Sequence, residues 1–195
     1  MQNFHSPQPP NNPRPIEQAG RVLDFWFKEL APAQWWKKDP ALDAAIGQRF
    51  EALLIDAKRG ACSHWQTSAE GALALVIVLD QFSRNIYRNR PEAFEADAQA
   101  LAVAMHAVNE GQDRALTNDQ RQFLYMPYMH SEVAAVHEQA MVLFASLEGD
   151  NSEDFERRHK AIIDRFGHYP HRNAILGRAS TPEELAFLSQ PGSSF

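Results

Sequence analysis

Apolar positions along the chain recur mostly at steps of three and four, the spacing that lines one face of an α-helix. In residues 16–30 the stripe is Ile16, Ala19, Leu23, Trp26 and Leu30, and Pro32 ends it. Asp39-Pro40 has the form of an N-cap with proline in the first turn, and Leu42, Ile46, Phe50, Leu53 and Ala57 carry a second helix to Gly60. A short link between two such helices predicts a hairpin. Thr67-Ser68-Ala69-Glu70 reads as a capping box, which assigns the continuous apolar run "ALALVIVLDQF" to a helix rather than a buried strand. A helix apolar on nearly every side must be central and covered by its neighbours.

Pro91-Glu92 predicts the opening of a fourth helix on Phe94, Ala98, Leu101, Met105 and Val108, closed by Gly111. Thr117 with Gln120 forms another box. Pro127 lies inside the apolar pattern that follows and predicts a break or kink, with helix resuming through Val133, Val136, Ala140, Leu143 and Leu147. Asn151 or Ser152 caps a helix bearing Phe155, His159, Ile162 and Phe166, and Thr181-Pro182-Glu183-Glu184 opens a last one to about Leu188. No span alternates as a strand does, so the fold class is all-α, with about seven or eight helices in successive hairpins. The residues of the 34-residue helical repeat signature do not recur.

At 195 residues, 44% of them hydrophobic, the chain suits one compact domain, placed at 16–190. The flanks, a Pro- and Asn-rich tail over 1–15 and a short one over 191–195, are expected to be flexible. A net charge of −6 argues against a general nucleic-acid binder, so any anion site must be local. No segment has the roughly 18 apolar residues of a membrane span, and residues 1–15 lack the pattern of a signal peptide. The single cysteine, Cys62, rules out an internal disulfide and a Cys-based zinc site, which fits a reducing cytoplasm.

The chemistry concentrates late in the chain. Residues 157–178 hold six Arg or Lys against one acid, Asp164. "QFSRNIYR" (81–88) and "YPHRNAILGR" (169–178) share an aromatic residue, an Arg-Asn pair and a later Arg. Arginine offers a planar fork of donors and asparagine an adaptable amide, so Arg84, Asn85, Arg88, Arg172, Asn173 and Arg178 suit a clamp on carboxylate or phosphate. They equally suit a structural lattice in which Asp80, Glu132 or Asp164 neutralise the arginines; a clamp needs one or two left unpaired. In "MHSE", His130 and Glu132 are two apart, which separates them by about 200° on a helix, so they chelate one metal, with His159 and His171, only if the Pro127 kink re-aims them. His159 falls on an apolar stripe, as a core histidine does. His171, after a proline in a loop, is the candidate acid–base group, with Glu132 as the other. No H-E-x-x-H, nucleophile elbow or Walker loop is present, so neither a metal nor a cofactor is expected. Trp26, Trp35, Trp36 and Trp65 read as packing residues whose indole N–H groups find carbonyls, or more sharply as the lining of a groove.

"VLDFWF" (22–27), "LDQFSRNIYR" (79–88), "FLYMPYMHSE" (123–132), "RFGHYPHRNAILGR" (165–178) and "STPEE" (180–184), taken in order, resemble the DUF924 family. The resemblance implies a tetratricopeptide-like α-α superhelix of stacked antiparallel hairpins and carries no activity with it. The family pattern usually reads Q-F-P-R-N and F-G-R-F-P-H-R-N. Here Ser83 stands for the proline, and His168 and Tyr169 for Arg and Phe. Arg84, Asn85, His130, Ser131, Glu132, His171, Arg172, Asn173 and Arg178 match it. The expectation is a cleft where the two Arg-Asn copies and "MHSE" meet, binding a small anionic ligand or a carboxylate-bearing peptide end. Two rival readings are an interaction module using the concave face of the superhelix and a metal-dependent hydrolase; oligomeric state is left open.

Overall fold

The computed structural model describes residues 15–149 and 151–194; all but the last residue of the tail expected at 1–15 lies outside them. Among the described residues there are ten helices and no strand. They are α1 (15–29), α2 (Pro32–Trp35), α3 (Pro40–Lys58), α4 (69–86), α5 (Asp97–Asn109), α6 (Asn118–Met129), α7 (Ala134–Ala145), α8 (Ser152–Phe166), α9 (Asn173–Leu176) and α10 (Pro182–Leu188). The helices beyond the expected seven or eight are α2 and α9, each a single turn and too short for a helical period to register.

The caps work largely as read. The Asp39 carboxylate accepts from the amides of Ala41 and Leu42, and Thr117–Gln120 and Thr181–Glu184 close reciprocal boxes. At α4 the cap shifts by one residue: Ser68, not Thr67, accepts from the Gly71 amide. Pro127 does not break α6 where expected. It sits close to the C-terminal end, where its missing N–H removes one backbone bond, and the helix continues to Met129 before the chain turns at 130–133. Nor does Pro91 open a long helix. Residues Pro91–Ala93 form a 3₁₀ turn, and α5 begins at Asp97. The buried face of α5 is Ala100, Val103, Ala104 and Ala107, while Leu101, Met105 and Val108 are only partly covered and Ala98 is exposed. Small side chains there let α5 come close to α4.

Helix α4 is central, as its all-round apolarity requires: every residue from Ala72 to Asp80 is buried, and α1, α3, α5 and α6 pack on it. Phe82 at its end stacks on Phe50 at 4.7 Å and meets Phe25 and Trp26 edge-on. Its stretch Ile77–Phe82 is π-helical, as is Phe25–Glu29 in α1. Beyond α6 the chain adds α7 and α8, which pack on each other, and a smaller core of Ile162, Ile163 and Tyr169 covered by Phe166 and Phe187. The tryptophans divide. Trp35 donates to the Trp26 carbonyl at 2.8 Å and Trp36 lies exposed on Phe123, but the buried indole N–H groups of Trp26 and Trp65 have no hydrogen-bond partner among the described residues, contrary to expectation. At the other end, where a flexible tail was expected, Ser193 is buried and donates to the Leu188 carbonyl. No helix among the described residues is long and apolar enough to cross a membrane.

Gly71 marks the tightest approach. A Cβ there would lie 2.1 Å from the Trp65 carbonyl oxygen, which belongs to the backbone and cannot swing away. Gly71→Ala is expected to destabilise the fold by about 2–3 kcal/mol, measured as a lower urea midpoint with unchanged m-value.

Candidate functional site

The site grows from a carboxylate placed where the apolar pattern of α4 has no room for one. Asp80 lies in the π-helical turn and has no solvent exposure. Its carboxylate accepts from the His130 Nδ1–H at 2.8 Å and the Gln81 side-chain amide at 2.7 Å and pairs with the Arg84 guanidinium at 3.0 Å, which also donates to the Asp80 backbone carbonyl at 3.1 Å. Burial alone would raise its pKa; the Arg84 and His130 partners overcome that and hold it at about 2. Arg84, one α-helical turn on, forks onto Asp97 at 2.8 and 3.0 Å. Asp97 is the first residue of α5, where a carboxylate also suits the helix dipole.

Asp97 is shared. Arg172, on the 3₁₀ turn Pro170–Arg172, reaches its second oxygen at 3.4 Å and donates to the His130 carbonyl at 3.0 Å. The Arg172 guanidinium lies 4.8 Å from the Phe94 ring centre and 4.6 Å from that of Tyr169. Next to it, both oxygens of Glu132 accept from Arg178, at 2.8 and 2.9 Å, and one also takes the Tyr169 amide. The Tyr169 hydroxyl donates to the Met129 carbonyl at 2.5 Å. These bonds latch residues 169–178 over the end of α6 and its "MHSE" turn.

Half of each Arg-Asn copy therefore converges, and half does not. Arg84 and Arg172 meet at Asp97, but Asn85 and Arg88 turn away to Asp43 on α3. Asn173 turns toward Ser180 and Glu184 and fastens α9 to the start of α10. The Ser131 hydroxyl accepts the Val133 amide and tightens the turn. Its carbonyl takes the Nε2–H of His137, whose Nδ1 shares a proton with Glu156 at 2.6 Å, both side chains fully buried. His171 and His159 flank the Tyr169 ring; burial pushes them down to about 4 and about 3, so both are neutral at pH 7. Asp164 is outside the cluster, paired with Lys160. Among the described residues no group of three or more His, Cys, Asp or Glu is placed to hold a metal ion.

Charge decides how the cluster behaves. Asp80, Asp97 and Glu132 face Arg84, Arg172 and Arg178, three against three, with His130 held below its ordinary range by burial and by Arg84. No arginine is wholly without a carboxylate. Arg172 is the least well served: its side chain is 7% exposed, its carboxylate contacts are 3.4 and 4.0 Å, and its buried Nε has no hydrogen-bond partner among the described residues. Burial and repulsion from Arg84 push its pKa down, whereas those of Arg84 and Arg178 are pushed up. Asp97, Asp43 and Phe94 are the contributors that sequence reasoning missed. Asp97 and Asp43 each lie in the first turn of a helix, where a carboxylate has a local explanation and gives no sign of a distant partner. Depressions of about 460 Å³ beside Glu51, Lys58 and Tyr87 and about 550 Å³ beside Gln66, His106 and Gln112 are lined by other residues.

Asp80→Asn removes a buried charge from its three partners Arg84, His130 and Gln81 and is expected to cost about 3–5 kcal/mol, read from chemical unfolding. Stability should also fall in mild acid. Between their ordinary value of 6.5 and about 4, His159 and His171 bind protons in the unfolded chain but not in the folded one. Each therefore removes up to about 1.4 kcal/mol per pH unit as pH drops. Glu156, raised by burial, opposes this with one group. Urea midpoints at pH 5 are expected to report about 2–4 kcal/mol less stability than at pH 7.5, most of it restored in a His159→Phe, His171→Phe pair if that pair folds.

With the geometry in hand, comparison with known proteins adds family but not activity. The family described as "Bacterial protein of unknown function (DUF924)" matches residues 22–192. A solved structure of a protein of unknown function from Agrobacterium tumefaciens, ATU0120, is similar at 37% identity and a TM-score of 0.85, over 89% of this chain and 97% of that one. No curated protein matches. The expected resemblance holds over residues 22–192, and the chain belongs to the DUF924 family.

Proposed function

We propose that the protein binds a small carboxylate- or phosphate-bearing ligand at the edge of the cluster where Arg84, His130 and Arg172 meet. The observation that carries this reading is the state of Arg172. A buried guanidinium normally takes a close, bidentate carboxylate. This one lies between two aromatic rings, beside a second arginine, with only long contacts to acids already engaged elsewhere. An oxyanion placed against it would add the short bonds to an anion that it lacks beyond its 3.0 Å bond to the His130 carbonyl, and relieve its repulsion with Arg84. The partial exposure of Arg84 and Asp97, about a fifth of each side chain, leaves the edge open to solvent.

Because the cluster is neutral without ligand, long-range attraction contributes little, and the affinity must come from short hydrogen bonds to donors already in place. This matches a small, compact anion better than a polyanion. The latch made by Glu132, Arg178 and Tyr169 acts in this reading as the support that holds Arg172 in place.

Thermal unfolding in a series of phosphate, sulfate and acetate tests the proposal. A hundredfold excess over Kd is expected to raise Tm by about 5–10 °C. Arg172→Lys keeps the charge but loses the planar fork, and should weaken binding by at least about tenfold. A wild-type protein indifferent to every anion, or an anion response unchanged in Arg172→Lys, would refute it.

A further inference from the structure

The neutral cluster raises a difficulty that the geometry itself resolves. Asp80 is a carboxylate, so the proton it receives from His130 is on Nδ1, and the lone pair of the ring is on Nε2. Nε2 has no hydrogen-bond partner among the described residues, and the side chain is 17% exposed. An oxyanion that reached this nitrogen would meet a lone pair, the wrong polarity for an anion. Its charge also leaves a balanced cluster negative, by one unit for a carboxylate and two for sulfate. One change answers both problems: a proton on Nε2 turns the acceptor into a donor and offsets one unit of that charge.

We propose that an oxyanion bound between Arg84 and Arg172 carries one proton with it onto Nε2 of His130, so that the site takes up anion and proton together. This rests on the ligand-binding reading above and specifies how that site selects and is regulated. The step is a simple protonation from solvent, with no bond broken in the ligand.

The surroundings of His130 are consistent with a ring poised to switch. From α4 it faces Asp80 and Arg84, and from α5 Asp97. Its own turn contributes Glu132, whose oxygens are taken by Arg178 and the Tyr169 amide. Arg172 comes from the 3₁₀ turn and binds the His130 carbonyl, and the neutral rings of His159 and His171 are near enough to interact with the His130 ring. Asp80 favours the imidazolium; burial and Arg84 oppose it. An anion against Arg84 cancels the second of these and adds its own attraction, so the balance tips when the ligand arrives. The same argument gives His130 a stronger claim than His171 or Glu132 to any proton transfer at this site. His171 is pressed against Tyr169, and both Glu132 oxygens are engaged.

Sulfate and acetate are suitable probes because neither changes charge in the neutral range. Calorimetric titration in buffers of different ionisation enthalpy is expected to show close to one proton taken up per anion. Affinity should rise as pH falls from about 8 to 6, by up to about tenfold per unit. His130→Asn retains an amide donor for Asp80 but has no atom at the Nε2 position; it should bind with no proton uptake and a flat pH profile. If that variant does not fold, the ring resonances of His130 in the wild type serve instead, and saturating sulfate should raise its titration midpoint by about one unit or more. Binding that is sensitive to Arg172→Lys but shows no proton uptake and no pH dependence overturns this inference and leaves the ligand site standing. Failure of both anions to bind removes the site and the inference together.

Discussion

A carboxylate buried without solvent in the middle of the most apolar helix is the constraint from which the rest of this arrangement follows. Left alone in such a place, Asp80 would protonate or unfold the helix around it, since an unpaired charge in the interior costs several kcal/mol. Its partners come from three distances along the chain: Gln81 beside it, Arg84 a turn away and His130 fifty residues on. The long-range partner places the end of α6 against α4. Arg84, tied to both Asp80 and Asp97, fixes the start of α5. Arg172 then joins at Asp97 and brings the last quarter of the chain with it. Shared carboxylates thus act as nodes: each arginine that docks on one is positioned relative to every group already there.

The features legible in the sequence are those whose physics is local. Most stripes at helical spacing, the reciprocal caps at Thr117 and Thr181, and the central place of α4 depend on residues within a few positions of one another, and they appear where the pattern puts them, although Val133 and Phe155, assigned to stripes, are exposed. The failures are also physical. A π-turn changes hydrogen bonding without changing composition, so nothing in "IVLDQF" announces that Asp80 sits in one. Pro127 leaves α6 unbroken because a proline costs one bond near a helix end and more in the middle. The buried line of α5 runs through alanines, whose low hydrophobicity hid it behind the larger Leu101 and Met105.

The candidate site was legible as a composition but not as a set of directions. Both Arg-Asn copies were visible, yet Arg84 and Arg172 converge while Asn85 and Asn173 point to separate partners. Adjacent residues on a helix or turn project about 100° apart, so a repeated dipeptide cannot deliver both of its side chains to one place unless the backbone frames also coincide. The acids that answer the arginines were harder still. Asp80 and Glu132 stood inside the noted motifs, whereas Asp97 and Asp43 looked like helix-start residues because they are also that.

Whether such a cluster is scaffold or site turns on what stability alone would have selected. Ionic networks taken out of water gain little over apolar packing of the same shape, because desolvation offsets most of the Coulomb attraction. A network serving only cohesion has no reason to stop at an open edge. This one runs from a fully buried carboxylate outward through Arg84, Asp97 and His130, each about a fifth exposed or a little less, while the guanidinium of Arg172 is held between two rings with its hydrogen bonding incomplete. An open edge formed by Arg84, Asp97 and His130 beside the more deeply buried and incompletely bonded Arg172 is what supports the ligand reading. Rigid support on one side and unmet donor capacity on the other is the condition under which a small anion binds without having to order the groups that receive it.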